Sequence, residues 1–195
     1  MDRLVKTMRI ITTHINADFD GMSSMIAAQK LYPDALLVFP GSQEKALREF
    51  ISQCLLYNYD FLKAKHIATA EVTSLIIVDT RSSKRIGTLA ACLENPGIEV
   101  HIYDHHPTSE GDISGSVEIV REVGSTMTLI TEILKEKNIA ITEEEATIFS
   151  LGIYEDTGSL THLTTTPDDL HAAAWLLEHG AKLDIISQFI RYRYF

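Results

Sequence analysis

Cysteine is nearly absent from this 195-residue chain: Cys54 and Cys92 stand alone, without a CxxC pair. That excludes a disulfide scaffold or a thiolate zinc framework, and both thiols read as small buried hydrophobes in a reducing compartment. Long apolar runs are also missing. Stretches such as residues 75–78 are far too short to span a bilayer. Residues 1–8 have charges but no apolar segment of a secretion signal. A soluble, cytoplasmic protein with no membrane partner is expected. Basic residues are few: 17 Lys and Arg against 27 Asp and Glu leave a net charge of −10. A broad basic surface for nucleic acid is therefore excluded, although a local basic groove is not. No Gly-Gly pair, internal repeat or low-complexity tract occurs. With 45% hydrophobic and 23% charged residues the composition is that of a globular domain. At this length about 70% of the unfolded surface can be buried, enough for a core without staples.

Short β-rich runs alternate with longer amphipathic stretches. Residues 8–13, 35–39, 74–78, 99–103 and 117–120 have strand length and many β-branched side chains. Helical patterns cover 21–31, 42–56 and 84–93, then 125–137, 142–154, 167–179 and 183–193. Thr142 with Glu145 forms a capping box, Thr166-Pro167 starts another helix, and Gly180 closes it. Strands separated by helix-length crossovers predict an α/β fold. Its core is a doubly wound, Rossmann-like sheet of about five mainly parallel strands, with helices on both faces and a mostly helical C-terminal part. The isolated His66, His101, His171 and His179 read as solvated.

Ligands of open parallel sheets bind beyond the carboxyl ends of the strands. The first strand empties into His14-Ile15-Asn16-Ala17-Asp18-Phe19-Asp20-Gly21, another into Asp79-Thr80, and the next into Asp104-His105-His106-Pro107. Three His and four Asp at one sheet edge would repel or be badly desolvated without a cation between them. Mixed imidazole and carboxylate donors suit Mn, Fe or Zn. Two such metals would clamp the attacking and leaving oxygens of a phosphoryl transfer. Asp79 alone, or Asp20-Gly21, also reads as a helix N-cap. Asp104-His105-His106 has no such shared structural role, and the three clusters together favour a metal site.

These clusters resemble the DHH phosphoesterase family, which includes RecJ-type exonucleases, oligoribonucleases, cyclic-dinucleotide phosphodiesterases and, more distantly, family II inorganic pyrophosphatases. Its H-x-x-x-D-x-D motif matches His14, Asp18 and Asp20. A strand ending in Asp matches Asp79, and the naming motif matches Asp104, His105 and His106. The G-x-x-x-D-T-G run matches Gly152-Ile153-Tyr154-Glu155-Asp156-Thr157-Gly158. Four motifs in order across residues 14 to 158 make a specific signal.

The resemblance implies roles residue by residue. His14, Asp18 and Asp79 would hold one metal; Asp20, Asp79, His105 and Asp156 would hold the second, with Asp79 bridging and a hydroxide between the metals as nucleophile. Mn²⁺ is the expected ion, with Mg²⁺ or Co²⁺ as alternatives. His106 would face the substrate phosphate, and Asp104, with Asn16, would act from behind the ligands. Gly124-Ser125-Thr126 opens a helix whose N–H groups would receive a phosphate, the alternative being an ordinary Ser cap.

The resemblance also implies a C-terminal domain with a glycine-rich, basic substrate-binding segment, which is expected to lie outside residues 1–195. Residues 1–182 are thus expected to be the catalytic domain. Residues 183–195, with their basic and aromatic ending, would start a linker helix to a missing domain of the same chain. The stretches 31–35 and 39–44 are further similar to the N-terminal domain of long bacterial proteins that append CBS domains and a poly(A) polymerase or tRNA nucleotidyltransferase module. The implied function is metal-dependent hydrolysis of a short oligonucleotide, a nucleotide or an RNA 3′ end, weak in the isolated domain. The alternatives are pyrophosphate or polyphosphate hydrolysis, or a nucleotide-sensing domain with little turnover.

Overall fold

A computed structural model describes residues 8–53 and 59–190. Residues 1–7, Cys54, the end of the expected 42–56 helix and the basic-aromatic segment 191–195 lie outside the described residues. Among the described residues there are six strands: β1 (Met8–Thr12), β2 (Leu36–Phe39), β3 (Phe61–Lys63), β4 (Val72–Val78), β5 (Glu99–Asp104) and β6 (Val117–Val120). They pair in parallel throughout, in the order β3-β2-β1-β4-β5-β6. The sequence pattern did not reveal β3, because three residues on a sheet edge are too few to display a period.

Central strands of a parallel sheet are apolar on both faces because both are covered. Ile10, Leu75 and Ile77 enter one core, and their neighbours Ile11, Ile76 and Val78 enter the other. On the second of these faces lie α1 (Phe19–Leu31), α2 (Lys45–Gln53) and α3 (Thr126–Glu136). Helix α4 (Glu143–Asp156) packs across α1, and α5 (Pro167–Glu178) and α6 (Leu183–Ile190) pack on α4. The opposite face is covered by 3₁₀ segments, Gly87–Glu94 among them, through Ile86, Leu89 and Cys92. An α-helix expected at 84–93 is thus a 3₁₀ segment. Much of that crossover is spent on the loop after β4 and on a left-handed Gly87 (φ 58°).

One further expectation changes. His101 is not solvated: it is buried in β5, with Nδ1 2.7 Å from the Tyr32 hydroxyl and Nε2 3.0 Å from Glu99. Leu183–Ile190, the opening of the expected linker helix, is helical and packs against the core. Ile186 and Ile190 are buried, and the Phe189 ring meets Phe50 edge-on at 4.9 Å. Both expected caps are present, Thr142 with Glu145 and Thr166 with Asp169.

Gly152 has a packing reason. A Cβ there would strike the Ser23 hydroxyl and lie 3.1 Å from both Cα and Oδ1 of Asp20. The missing side chain therefore lets α4 approach the first turn of α1. Gly152→Ala should force the two helices apart at a cost of about 1–3 kcal/mol, as overpacking generally does. A thermal melt should show a loss of roughly 2–10 °C for a chain of this size. An unchanged melting temperature would mean that this contact does not set the spacing.

Candidate metal centre at the switch point of the sheet

Chain order reverses between β1 and β4, which opens a crevice beyond their carboxyl ends. Four segments deliver side chains to it. β1 leads into His14, and Asp18 caps α1 by accepting from the Gly21 N–H at 3.0 Å. β4 leads into Asp79, whose left-handed backbone (φ 61°) is uncommon for a residue other than glycine, though Asp tolerates it. The Asp79 N–H donates to the Tyr103 carbonyl at 2.9 Å, which ties the β4 exit to β5. β5 leads from Asp104 into His105 and His106. Asp156 closes α4, where three consecutive left-handed residues, Gly158, Ser159 and Leu160, turn the chain away. An acid at a helix C-terminus is electrostatically unfavourable. Capping therefore does not explain it.

These side chains meet closely. The donor atoms of His14, Asp18 and Asp79 lie within 4.8 Å of one another, as do those of Asp20, Asp79, His105 and Asp156. Asp79 belongs to both groups. His14 Nε2 is 3.1 Å from Asp79 Oδ2 and 3.6 Å from Asp18. His105 Nε2 lies 3.4 Å from Asp79, 3.3 Å from Asp156 and 4.0 Å from Asp20, buried and without a hydrogen bond. In each imidazole Nδ1 faces a carbonyl, Ile15 for His14 (3.1 Å) and Val123 for His105 (3.0 Å). A carbonyl only accepts, so Nδ1 carries the proton and Nε2 is the nitrogen left for a ligand. Histidine ligands of metals are commonly held in this way. An orphaned buried nitrogen among carboxylates fits a divalent ion well.

Charge explains the rest of the geometry. Burial would push His14 and His105 down, but the carboxylates outweigh it: Asp18 and Asp79 raise His14 to about 10, and Asp156 and Asp79 raise His105 to about 12. Burial pushes Asp79 up, yet the facing imidazoles of His105 and His14 bring it below the usual carboxylate range. Asp156 rises to about 6 and Asp20 well above its ordinary value, in both cases through burial first and then neighbouring carboxylates. The carboxylates thus favour positive charge at the positions of His14 and His105.

Other expected site residues are placed differently. The N-terminus of α3 is not open for a phosphate. The Gly124 N–H donates to Asp169 at 2.9 Å, the Thr126 and Met127 N–H groups to Asp20 at 2.7 and 2.9 Å, and the Thr128 N–H to Ser125 Oγ. Ser125 is a buried N-cap, and the Thr126 hydroxyl donates to Asp79 at 3.0 Å. Gly124, Ser125 and Thr126 therefore serve the carboxylates instead of a ligand anion. Asn16 is exposed at a left-handed turn. Asp104 is buried and accepts from His106 Nδ1 at 2.8 Å; the His106 ring is 43% exposed. The sequence reading missed Arg81, Asp169 and Glu155, which accepts from the Phe19 N–H at 2.5 Å. Arg81 was detectable as a cation two residues past a strand-end acid, whereas Asp169 was hidden inside a cap pattern.

The chain is similar to several known proteins. At 50% identity, 94% of the chain matches 21% of an A-adding tRNA nucleotidyltransferase of Geobacter sulfurreducens. At 34% identity, 95% of it matches 21% of the protein of that name from Aquifex aeolicus. The chain thus spans about a fifth of the length of these curated relatives. Among solved structures, an exopolyphosphatase-related protein from Bacteroides fragilis superposes with a TM-score of 0.78 at 19% identity, covering 96% of this chain and 57% of that one, a likeness of fold. Residues 9–153 match the DHH family, N-terminal domain, and the chain belongs to that family.

Proposed function

We propose that this chain is a divalent-metal-dependent phosphodiesterase domain that hydrolyses short oligonucleotides or an RNA 3′ end within a larger RNA-processing protein. The observation behind this reading is the pair of donor groups that share Asp79 around the unbonded Nε2 of His105. His14, Asp18 and Asp79 hold one ion; Asp20, Asp79, His105 and Asp156 hold the other. Imidazoles among the carboxylates favour Mn²⁺ over Mg²⁺, with Co²⁺ an alternative. Two bound ions supply a nucleophile at neutral pH and neutralise charge on the scissile phosphate. Asp104 holds His106 Nδ1, so Nε2 is the ring nitrogen that meets a phosphate oxygen. RNA is the proposed polymer because the Geobacter sulfurreducens and Aquifex aeolicus relatives bear a tRNA-related name and match nearly all of this chain.

Chelated protein returned to Mn²⁺ should hold two ions per chain. Asp79→Asn should lose them, since it keeps a side chain tolerant of the left-handed backbone and removes the shared charge. Elemental analysis after gel filtration decides, and a wild-type stoichiometry of zero would sink the reading.

Metal must displace the protons on His14 and His105, so apparent Mn²⁺ affinity should keep rising with pH up to about 10, where His14 loses its proton unaided. Stability of the metal-free chain runs the other way. A histidine raised from 6.5 to about 10 stabilises fully below pH 6.5 and loses that contribution as pH climbs through about 10. The gap in melting temperature between Mn²⁺-loaded and chelated protein should therefore widen from pH 6.5 upward. A gap independent of pH would contradict the assignment of these imidazoles.

With Mn²⁺ the chain should cleave a dinucleotide to mononucleotides in preference to pyrophosphate. His106→Ala should lower the rate by about 100-fold with metal content intact, whereas His105→Ala should reduce both. Faster cleavage of pyrophosphate would overturn the substrate class, and loss of metal in the His106 variant would reverse the two histidine roles.

A further inference from the structure

Arg81 lies two residues beyond Asp79, where the β4 exit runs beside the β5 exit, Val78 being in register with Tyr103. Its guanidinium is almost wholly buried and makes a fan of bonds into the next loop. Nε donates to Asp104 Oδ2 at 2.9 Å, one terminal nitrogen donates to the His106 carbonyl at 2.8 Å, and the other to the Thr108 hydroxyl at 3.3 Å. The last also lies 3.5 Å from Asp112, and the Arg81 carbonyl accepts from the Ile113 N–H at 2.7 Å. The second oxygen of Asp104 takes His106 Nδ1–H at 2.8 Å. One guanidinium thus grips His106 twice, directly at its backbone carbonyl and through Asp104 at its ring.

The chemistry of this clamp is specific. Asp104 is 1% exposed and would be an uncompensated buried charge without a cation beside it. A planar fork can bond a carboxylate and a carbonyl at the same time, which the single ammonium of lysine does poorly. With Asp104 ionised and accepting, Nδ1 keeps its proton and Nε2 is left as the outward nitrogen of a ring that is otherwise 43% exposed.

We propose that Arg81 is a positioning residue for His106, setting the orientation and tautomer of its ring through Asp104 and the His106 carbonyl. The inference rests on the reading above, in which His106 meets the substrate phosphate. The Arg81 guanidinium bonds to Asp104, His106 and Thr108, none of them among the six residues proposed as metal ligands, so its effect is separable from metal binding.

The test uses Arg81→Lys, which keeps a cation for Asp104, and Asp104→Asn, each alone and combined with His106→Ala. Arg81→Lys should retain two Mn²⁺ per chain. It should lower kcat on a dinucleotide by about 10- to 100-fold, the scale expected for a misplaced group, and change KM by less than about twofold. In the His106→Ala background the same substitution should cost almost nothing further. Nitrogen-15 spectra of histidine-labelled, chelated protein give an activity-free readout: His106 should be the Nδ1–H tautomer in wild type and a mixture in Arg81→Lys. An unchanged His106 tautomer in Arg81→Lys, or an undiminished loss of rate without His106, overturns the proposal. Inactive wild type with the expected tautomer change would instead refute the phosphodiesterase reading and leave Arg81 as the residue that orients His106.

Discussion

Four carboxylates cannot be buried side by side unless positive charge is supplied among them, and the structure is arranged around meeting that need at Asp79. One of its oxygens faces His14; the other takes the Thr126 hydroxyl and faces His105. The left-handed turn at Asp79 directs the carboxylate inward while its N–H stays bonded to Tyr103. Removing one partner of a buried charge pair is far costlier than the net worth of the pair. The histidines are therefore held as firmly as the acids they face, each by a carbonyl at its far nitrogen.

Helix α3 contributes what the imidazoles do not. Its first-turn N–H groups, where the dipole is positive, close on Asp20, and the preceding Gly124 N–H closes on Asp169. Asp169 also accepts from Thr128 and from the Thr166 N–H and hydroxyl, so it fastens the start of α5 to the start of α3. A helix end that elsewhere would take an incoming phosphate is already occupied by the chain's own acids. Anion recognition must then rely on the centre itself and on the exposed ring of His106.

Much of this was legible in the sequence because strand ends announce themselves: an apolar run stops and an Asp or His follows. The five longer strands, the switch-point location and the convergence of His14, Asp18, Asp20, Asp79 and His105 on one sheet edge follow from that pattern and the sheet rule, whereas Asp156, at a helix end, came only from the family resemblance. What stayed hidden are contacts between distant residues. Nothing local distinguishes the N–H groups of Thr126 and Met127 as partners of Asp20, more than a hundred positions away. His101 was misread for the same reason, since Tyr32 reaches it from the end of α1. The 3₁₀ face was misread because eight residues with apolar spacing look helical whichever turn they adopt.

The centre is thus a long-range product of folding, with donors drawn from residue 14 to residue 156. Such a site exists only once β1, β4, β5, α1 and α4 have docked, so anything binding there is coupled to global stability. Its precision comes from rigid neighbours. Asp18 and Asp20 sit at the cap and first turn of α1, Asp156 ends α4, and Gly152 lets those two helices close. The more exposed member, His106, lies on a loop, and that loop is the one Arg81 clamps at Asp104, His106 and Thr108. Donors on helix and strand ends need no such clamp, because the packed core fixes them. A ring on a loop does, and the buried guanidinium supplies it.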